Sequence, residues 1–340
     1  MGEVDWQRGR VVVTGGASFI GSHLVEALVA RGASVRVVDD FSTGRLGNLD
    51  EVRARIELVR GDLRDPRVVE EALAGGVRCV FHLAADHGGR GYVDLHNVEC
   101  AGNLALDGQL FAACARAGVE QLVFASSGCV YPNHLQSDPG RELYLTEDLV
   151  GPPYDADNMY GWAKLMGELT LRHYAERGLM RTASCRYFTV YGPRGKEDHA
   201  VIAMIARAFV GQDPFEVWGT GEQIRNWTYV DDIALGTIRA AERIHDGSAV
   251  NLGTEERIRV ADAARLVLET MGRDATLLFQ PHMPTGPYNR VASHALARER
   301  LGWEPCVRFV EGVCRTIEWY VKSHDVDAVR ASLDRALTER

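Results

Sequence analysis

An α/β fold built on a parallel sheet is predicted by three features of this 340-residue chain. Short β-branched runs alternate with helix-like segments through its first half. A glycine-rich turn stands between the first run and the first helix. Farther on, Tyr160 and Lys164 are four residues apart on a helical segment, so their side chains share one face.

The first run is Arg10–Thr14, and Ile20–Arg31 follows with helical spacing through Leu24, Leu28 and Val29. Ser34–Val38, Ile56–Arg60, Cys79–Leu83 and Gln121–Ala125 are further apolar runs separated by helix-like sequence. Asn97–Ala117 and Asn158–Arg177 read as two long helices flanking the chemistry. Beyond Tyr187 the pattern loosens into Gly- and Pro-rich loops, with shorter helices near Ala200–Val210, Val260–Met271 and Phe309–Val321. The expected organisation is a Rossmann-type doubly wound parallel sheet over residues 1–186, to which 228–254 returns. A smaller α/β substrate-binding lobe takes 187–227 and 255–321, and 322–340 forms a helical extension on the surface.

Hydrophobic content of 46% and charged content of 25% are ordinary for a globular protein. A formal net charge of −9 argues against extended nucleic-acid binding, so an anionic ligand must be met by local arginines, lysines and amides. No apolar run approaches the roughly 18 residues of a membrane span, and Met1–Arg10 lacks the apolar stretch of a signal peptide. The 7 cysteines are scattered without C-x-x-C spacing. That pattern disfavours a disulfide framework and a metal site, and points to a reducing, cytoplasmic setting.

Thr14-Gly15-Gly16-Ala17-Ser18-Phe19-Ile20-Gly21 leaves a strand and opens a helix. Backbone amides and the helix N-terminus can there meet a pyrophosphate. Asp39 ends the next strand, where an acid takes the ribose hydroxyls. Asp62 and Leu63 follow the third strand, where a carboxylate can receive an adenine amine. Leu83, Ala84 and Ala85 end the fourth, small enough for close approach to a dinucleotide. Asp40, and Phe41 at a position suited to a phosphate-binding arginine, favour NAD over NADP; Arg45 is the nearest competing cation. Any one of these acids alone reads as a solvated loop residue; together they describe a cofactor site.

An ammonium beside a phenol stabilises the phenolate, which makes a group with pKa about 10 a usable base. Ser127 closes a strand and adds a second hydroxyl. A Ser127/Tyr160/Lys164 set can oxidise an alcohol with a nicotinamide, and the thiol of Cys129 implies a further proton transfer.

These combined motifs resemble the extended short-chain dehydrogenase/reductase family, in its nucleotide-sugar epimerase and dehydratase branch. The resemblance runs from Val11 to about Tyr320, with Ser18 in place of the family's middle glycine. It implies that Tyr160 accepts the proton of a sugar hydroxyl as hydride passes to NAD. Lys164 then holds the nicotinamide ribose, and Ser127 the reacting oxygen. Dehydratases carry an Asp-Glu pair where Gly128 and Cys129 stand, and 4-epimerases need no base there. Cys129 is instead similar to the arrangement in GDP-mannose 3,5-epimerases, where a cysteine works with a lysine across the ring.

The loop around Gly88 and Arg90, and Trp218 leading to Gln223-Ile224-Arg225, resemble that subfamily's substrate segments. Arg225 and Arg290 are expected on the diphosphate. Lys196 is expected as the second acid/base, with His199 in reserve, although their loop is shorter than the family's. Thr189 replaces an asparagine of many relatives. The resemblance implies a homodimeric NAD-dependent epimerase acting at carbon 5, and optionally carbon 3, of GDP-mannose or a related hexose. A 4-epimerase, a 5,6-dehydratase and a non-catalytic NAD-binding regulator stay open as alternatives.

Overall fold

The computed structural model describes residues 5–138 and 140–338, so the last two residues of the expected C-terminal helix lie outside it. Seven strands form the main sheet: β1 (Arg10–Thr14), β2 (Ser34–Asp39), β3 (Ile56–Arg60), β4 (Val77–His82), β5 (Gln121–Ser127), β6 (Arg181–Tyr187) and β7 (Asp246–Leu252). Their order is β7-β6-β5-β4-β1-β2-β3, and every neighbouring pair is parallel. This is the doubly wound Rossmann-type architecture. The order in which successive strands are laid down reverses between β1 and β4, which opens a crevice at their carboxyl ends, the place where such sheets receive ligands.

Both faces of the sheet are buried, and that explains the unbroken Val11-Val12-Val13 run. Val11 and Val13 pack with Leu24, Val25 and Leu28 of helix α1 (Phe19–Ala30), and with Ile233 and Ile238 of the Val230–Arg243 helix. Val12 faces the opposite layer, with Val80, Leu110, Phe111 and Leu122. Fully burying one such side chain contributes about 1.5–3 kcal/mol.

The second lobe has its own core, formed by Ile202, Ile205, Phe215, Trp227, Phe309, Val313 and Tyr320. Within it the Ile224–Arg225 strand lies between Ile258–Arg259 and Asn289–Arg290. The parallel register sets Arg225 directly beside Arg290.

One element differs from the sequence reading. The helix expected over Asn97–Ala117 is divided at Gly102 into Asn97–Ala101 and Asn103–Arg116. Glycine is the weakest helix former after proline, and the Gly102 amide is shared between the Val98 and Glu99 carbonyls. The C-terminal helix Val326–Thr338 lies on the surface, and its added detail is that Val329 and Leu333 enter the second core.

Candidate active site

The glycine turn is shaped by close approach. Gly15 has φ +65, and a Cβ added to Gly21 would fall 2.1 Å from the Gly15 carbonyl oxygen. Only hydrogen at these positions lets strand, turn and helix meet. Ser18 turns its hydroxyl back to donate to the Gly15 carbonyl at 2.5 Å, so it does not cap α1. With no side chain capping the helix, its first turn is left to an anion. Ser18, Phe19 and Ile20 line the cavity beside it.

Asp39 is 6% exposed and accepts from the Ala17 amide at 2.9 Å and the Phe41 amide at 2.8 Å, which ties β2 to the turn. Burial raises its carboxyl above the ordinary range against the pull of those amides. The Asp62 carboxylate is held by Arg64, and the Leu63 carbonyl accepts from Gln109. Thr14 accepts from the Leu83 and Ala84 amides, both at 3.1 Å, and its hydroxyl lies 2.7 Å from His82 Nδ1. With both acceptances made, that hydroxyl proton goes to His82, whose Nε2 then donates to Asp107 at 3.0 Å. Burial holds His82 below its usual pKa. The small-residue end of β4 is thereby fixed against the turn. A positive-φ turn, an uncapped helix and a buried acid after β2 fit the adenosine diphosphate half of a dinucleotide.

One continuous cavity runs from this turn into the second lobe. Leu83 and Ala85 line it near the turn, followed by Ser127, Gly128, Cys129, Tyr160 and Lys164. Gly88, Arg90, Thr189, Lys196, His199, Trp218, Arg225 and Arg290 complete the wall. Gly15, Gly21, Asp39, Asp62, Leu63 and Ala84 sit behind the lining rather than in it. Lys164 is 1% exposed, with Nζ 4.6 Å from the Phe124 ring centroid and 5.7 Å from that of Tyr160. Burial pushes the Tyr160 phenol well above its ordinary range, the neighbouring Cys129 adds to this, and hydrogen bonding with Ser127 opposes it. Burial also lowers Lys164.

Cys129 follows Ser127 in a tight turn, its amide donating to Ser127 Oγ at 3.1 Å. Its carbonyl accepts from the Asp157 amide at 2.8 Å. That carbonyl would lie only 2.4 Å from a Cβ on Gly161, so the Tyr160 helix (Asn158–Glu176) meets the turn backbone to backbone. Arg290 donates Nη1 to Cys129 Sγ at 3.2 Å, Nη2 to Asp157 at 2.9 Å and Nε to Gln136 at 2.7 Å. Arg90 donates to the same Asp157 oxygen at 2.6 Å. Burial works to raise Asp157, yet Arg290 and Arg90 hold it below the usual carboxylate range. Burial, with repulsion from Arg290 and Arg90, lowers Arg225 to about 9. Arg90 also pairs with Asp94 at 2.6 Å, and Arg225 donates to backbone carbonyls, so three guanidiniums face two carboxylates, leaving positive charge that an anionic group can neutralise.

Asp157, Gln136 and Asp198 went unnoticed in the sequence. Asp157 could have been found as the residue preceding a helix three positions before Tyr160; Gln136 and Asp198 carry no comparable signal. His87, visible only as a departure from the subfamily, stacks on Tyr160 with centroids 6.4 Å apart. Among the described residues no group of His, Cys, Asp and Glu is arranged to hold a metal, and no helix is long and apolar enough to cross a membrane.

A dinucleotide crevice that opens onto a Ser/Tyr/Lys set defines an NAD-dependent enzyme of the nucleotide-sugar epimerase and dehydratase class. The chain belongs to the NAD dependent epimerase/dehydratase family, whose model matches residues 11–253. GDP-mannose 3,5-epimerase 1 of Oryza sativa subsp. japonica is 29% identical over 317 residues, covering 91% of this chain and 81% of the relative. UDP-glucuronic acid decarboxylase 1 of Arabidopsis thaliana is 31% identical over 318 residues, 92% of this chain and 69% of the relative. The structure of Thermus thermophilus UDP-glucose 4-epimerase in complex with NAD superposes with a TM-score of 0.82 at 29% identity, covering 93% of this chain and 100% of that one.

Proposed function

We propose that this chain inverts carbon 5, and optionally carbon 3, of GDP-mannose or a related nucleoside diphosphate hexose through a transient 4-ketone. The observation that carries the reading is Cys129, placed beside Ser127 and held against the Arg290 guanidinium. NAD, when bound, supplies the hydride acceptor for carbon 4, returns the hydride afterwards, and brings a cationic ring beside the phenol. Tyr160 takes the proton of the carbon-4 hydroxyl and later gives it back, with Ser127 holding the oxygen. Its buried phenol needs positive charge to ionise, which Lys164 supplies in part.

A ketone at carbon 4 acidifies the protons on carbons 3 and 5. Cys129 is the group that exchanges such a proton, and Arg290 sets a fixed positive charge against its sulfur. Arg225, Arg90 and Arg290 provide the charge for the diphosphate. The likeness to a GDP-mannose 3,5-epimerase supports this choice over a simple 4-epimerase, which needs no thiol there. Leu95, Val98, Leu104, Trp162 and Met166 are exposed apolar residues on neighbouring helices, which supports a homodimer through that face. The scattered cysteines, without C-x-x-C spacing, suit a cytoplasmic protein.

The test is incubation with GDP-mannose in deuterated water, followed by NMR of the sugar ring. Deuterium at carbon 5 is expected. An unlabelled 4-epimer as the sole product across GDP-, UDP- and dTDP-hexoses would remove the carbon-5 assignment, and an olefinic product would replace it with a dehydratase.

A further inference from the structure

We infer that His199, oriented by Asp198, is the proton-transfer partner of Cys129, and that Lys196 belongs to the cofactor side of the cavity. The inference deepens the carbon-5 reading and rests on it. The Tyr191–His199 segment is anchored at three points, and the anchors separate its two cations. Arg194 donates to Ser22 Oγ at 3.1 Å and Glu26 at 2.5 Å, tying the first part to α1 and the cofactor turn. Glu197 points away from the cavity, accepting from Tyr320 Oη at 3.0 Å and pairing with His324 at 3.6 Å. Asp198 Oδ2 accepts from the Gly89 amide at 2.9 Å, tying the last part to the loop after β4.

Lys196 and His199 stand on either side of a turn closed by the His199 amide and the Lys196 carbonyl at 3.1 Å. Lys196 is the nearer of the two to the Arg194 anchor in the chain, and its charge reaches Asp39 as well as His87. His199 sits on the side of His87, the ring stacked on Tyr160. It heads the Ala200–Val210 helix, lines the cavity, and its side chain is 30% exposed, so it is reachable by a sugar.

Asp198 supplies the second observation. Its side chain is 6% exposed, and Oδ1 makes no hydrogen bond within the protein. His199 Nε2 lies 3.7 Å from that oxygen, so a small rotation of the imidazole closes the bond. An unpaired buried carboxylate oxygen beside a half-exposed histidine is the usual means of fixing which ring nitrogen carries a proton. The charged and titratable groups around His199 are Asp198, Lys196, His87 and, deeper, Lys164.

In the step itself, the Cys129 thiolate takes the carbon-5 proton and becomes a thiol. The C–H electron pair moves into an enolate on the carbon-4 oxygen. His199, protonated, delivers a proton to carbon 5 from the other face and becomes neutral. Proton exchange with solvent then restores both groups, so no oxidant beyond the family's NAD is needed.

His199→Ala and His199→Gln are compared with Lys196→Ala and Asp198→Asn, using GDP-mannose in deuterated water. Retained NAD reports folding, and the absorbance of reduced nicotinamide reports hydride transfer. Both His199 variants are expected to keep NAD, hydride transfer and Cys129-driven deuterium exchange while formation of the carbon-5 epimer falls about 10²–10⁴-fold, with partial recovery on adding imidazole. Lys196→Ala should bind NAD more weakly yet form the epimer within about tenfold of the parent at saturating NAD. Asp198→Asn should lower kcat with little change in KM, the mark of a positioning residue. Formation of the carbon-5 epimer by His199→Ala within about tenfold of the parent, or its loss in Lys196→Ala at saturating NAD, overturns this inference and leaves the carbon-5 reading standing. Absence of exchange in the parent removes both together.

Discussion

Arg290 Nη1 lies 3.2 Å from Cys129 Sγ, while the other nitrogens of the same guanidinium hold Asp157 and Gln136. The sequence suggests a diphosphate role for Arg290; its geometry links the diphosphate end of the cavity to the thiol. A diphosphate that draws on this guanidinium competes with the Asp157 contact, so substrate arrival and the charge around Cys129 are coupled. Cys129→Ala should keep hydride transfer at carbon 4 and lower deuterium uptake at carbon 5 by about 10²–10⁴-fold. Unchanged epimerisation in that variant would leave Cys129 a packing residue.

Tyr160→Phe should fold and retain NAD while turnover falls by at least about 10²-fold, because the sugar hydroxyl loses its proton acceptor. Cofactor content and steady-state rate on the same preparation decide the point.

Asp39→Asn should weaken NAD retention and loosen the turn, since the carboxylate proposed for the ribose accepts two backbone amides. Loss of one such charge-assisted bond costs about 1–3 kcal/mol. Mass analysis of the extracted cofactor should find NAD in the parent and a diminished amount in the variant.

Beneath the active-site end of β5, Arg186 and Glu168 form an ion pair in which each side chain is 2% exposed. Ser126 donates to the same Glu168, and Tyr131 joins Arg186 to Asn251. Removing one partner leaves a buried charge alone, so Glu168→Gln should cost about 3–5 kcal/mol. Chemical denaturation with NAD held at fixed concentration measures it.

His87 gives the pH dependence a sign. Burial, with the charge of His199, lowers its pKa from 6.5 to about 4. Unfolding restores the higher value, so the unfolded chain binds more protons and stability rises with pH. The contribution is complete above 6.5 and is lost as pH falls toward 4. His87→Gln should flatten the melting temperature against pH within that window.

Much of the sheet was legible because its strands are buried on both faces and read as β-branched runs; Arg10–Thr14 and Ile56–Arg60 have the expected limits. β6 was not, because Thr182, Ser184 and Arg186 interrupt its apolar pattern. Thr182 bonds the Leu171 carbonyl and Arg186 the buried Glu168, so polar residues occupy core positions that periodicity assigns to apolar ones. At the site, Tyr160, Lys164, Ser127 and the glycine turn were readable from spacing along single segments. Asp157 and Asp198 were not, since their partners Arg290 and Gly89 are distant in the chain and meet only on folding.

The contact of Gly161 with the Cys129 carbonyl means that Ser127, Cys129, Tyr160 and Lys164 are carried on one rigid block. Neither half of the chemistry can be re-aimed by sliding that helix without breaking the turn. New sugar preferences must then arise across the cavity, in the shorter strands and loops that carry Arg225 and Trp218. Diversification of substrate on this scaffold becomes a matter of changing the facing wall while the chemistry stays in place.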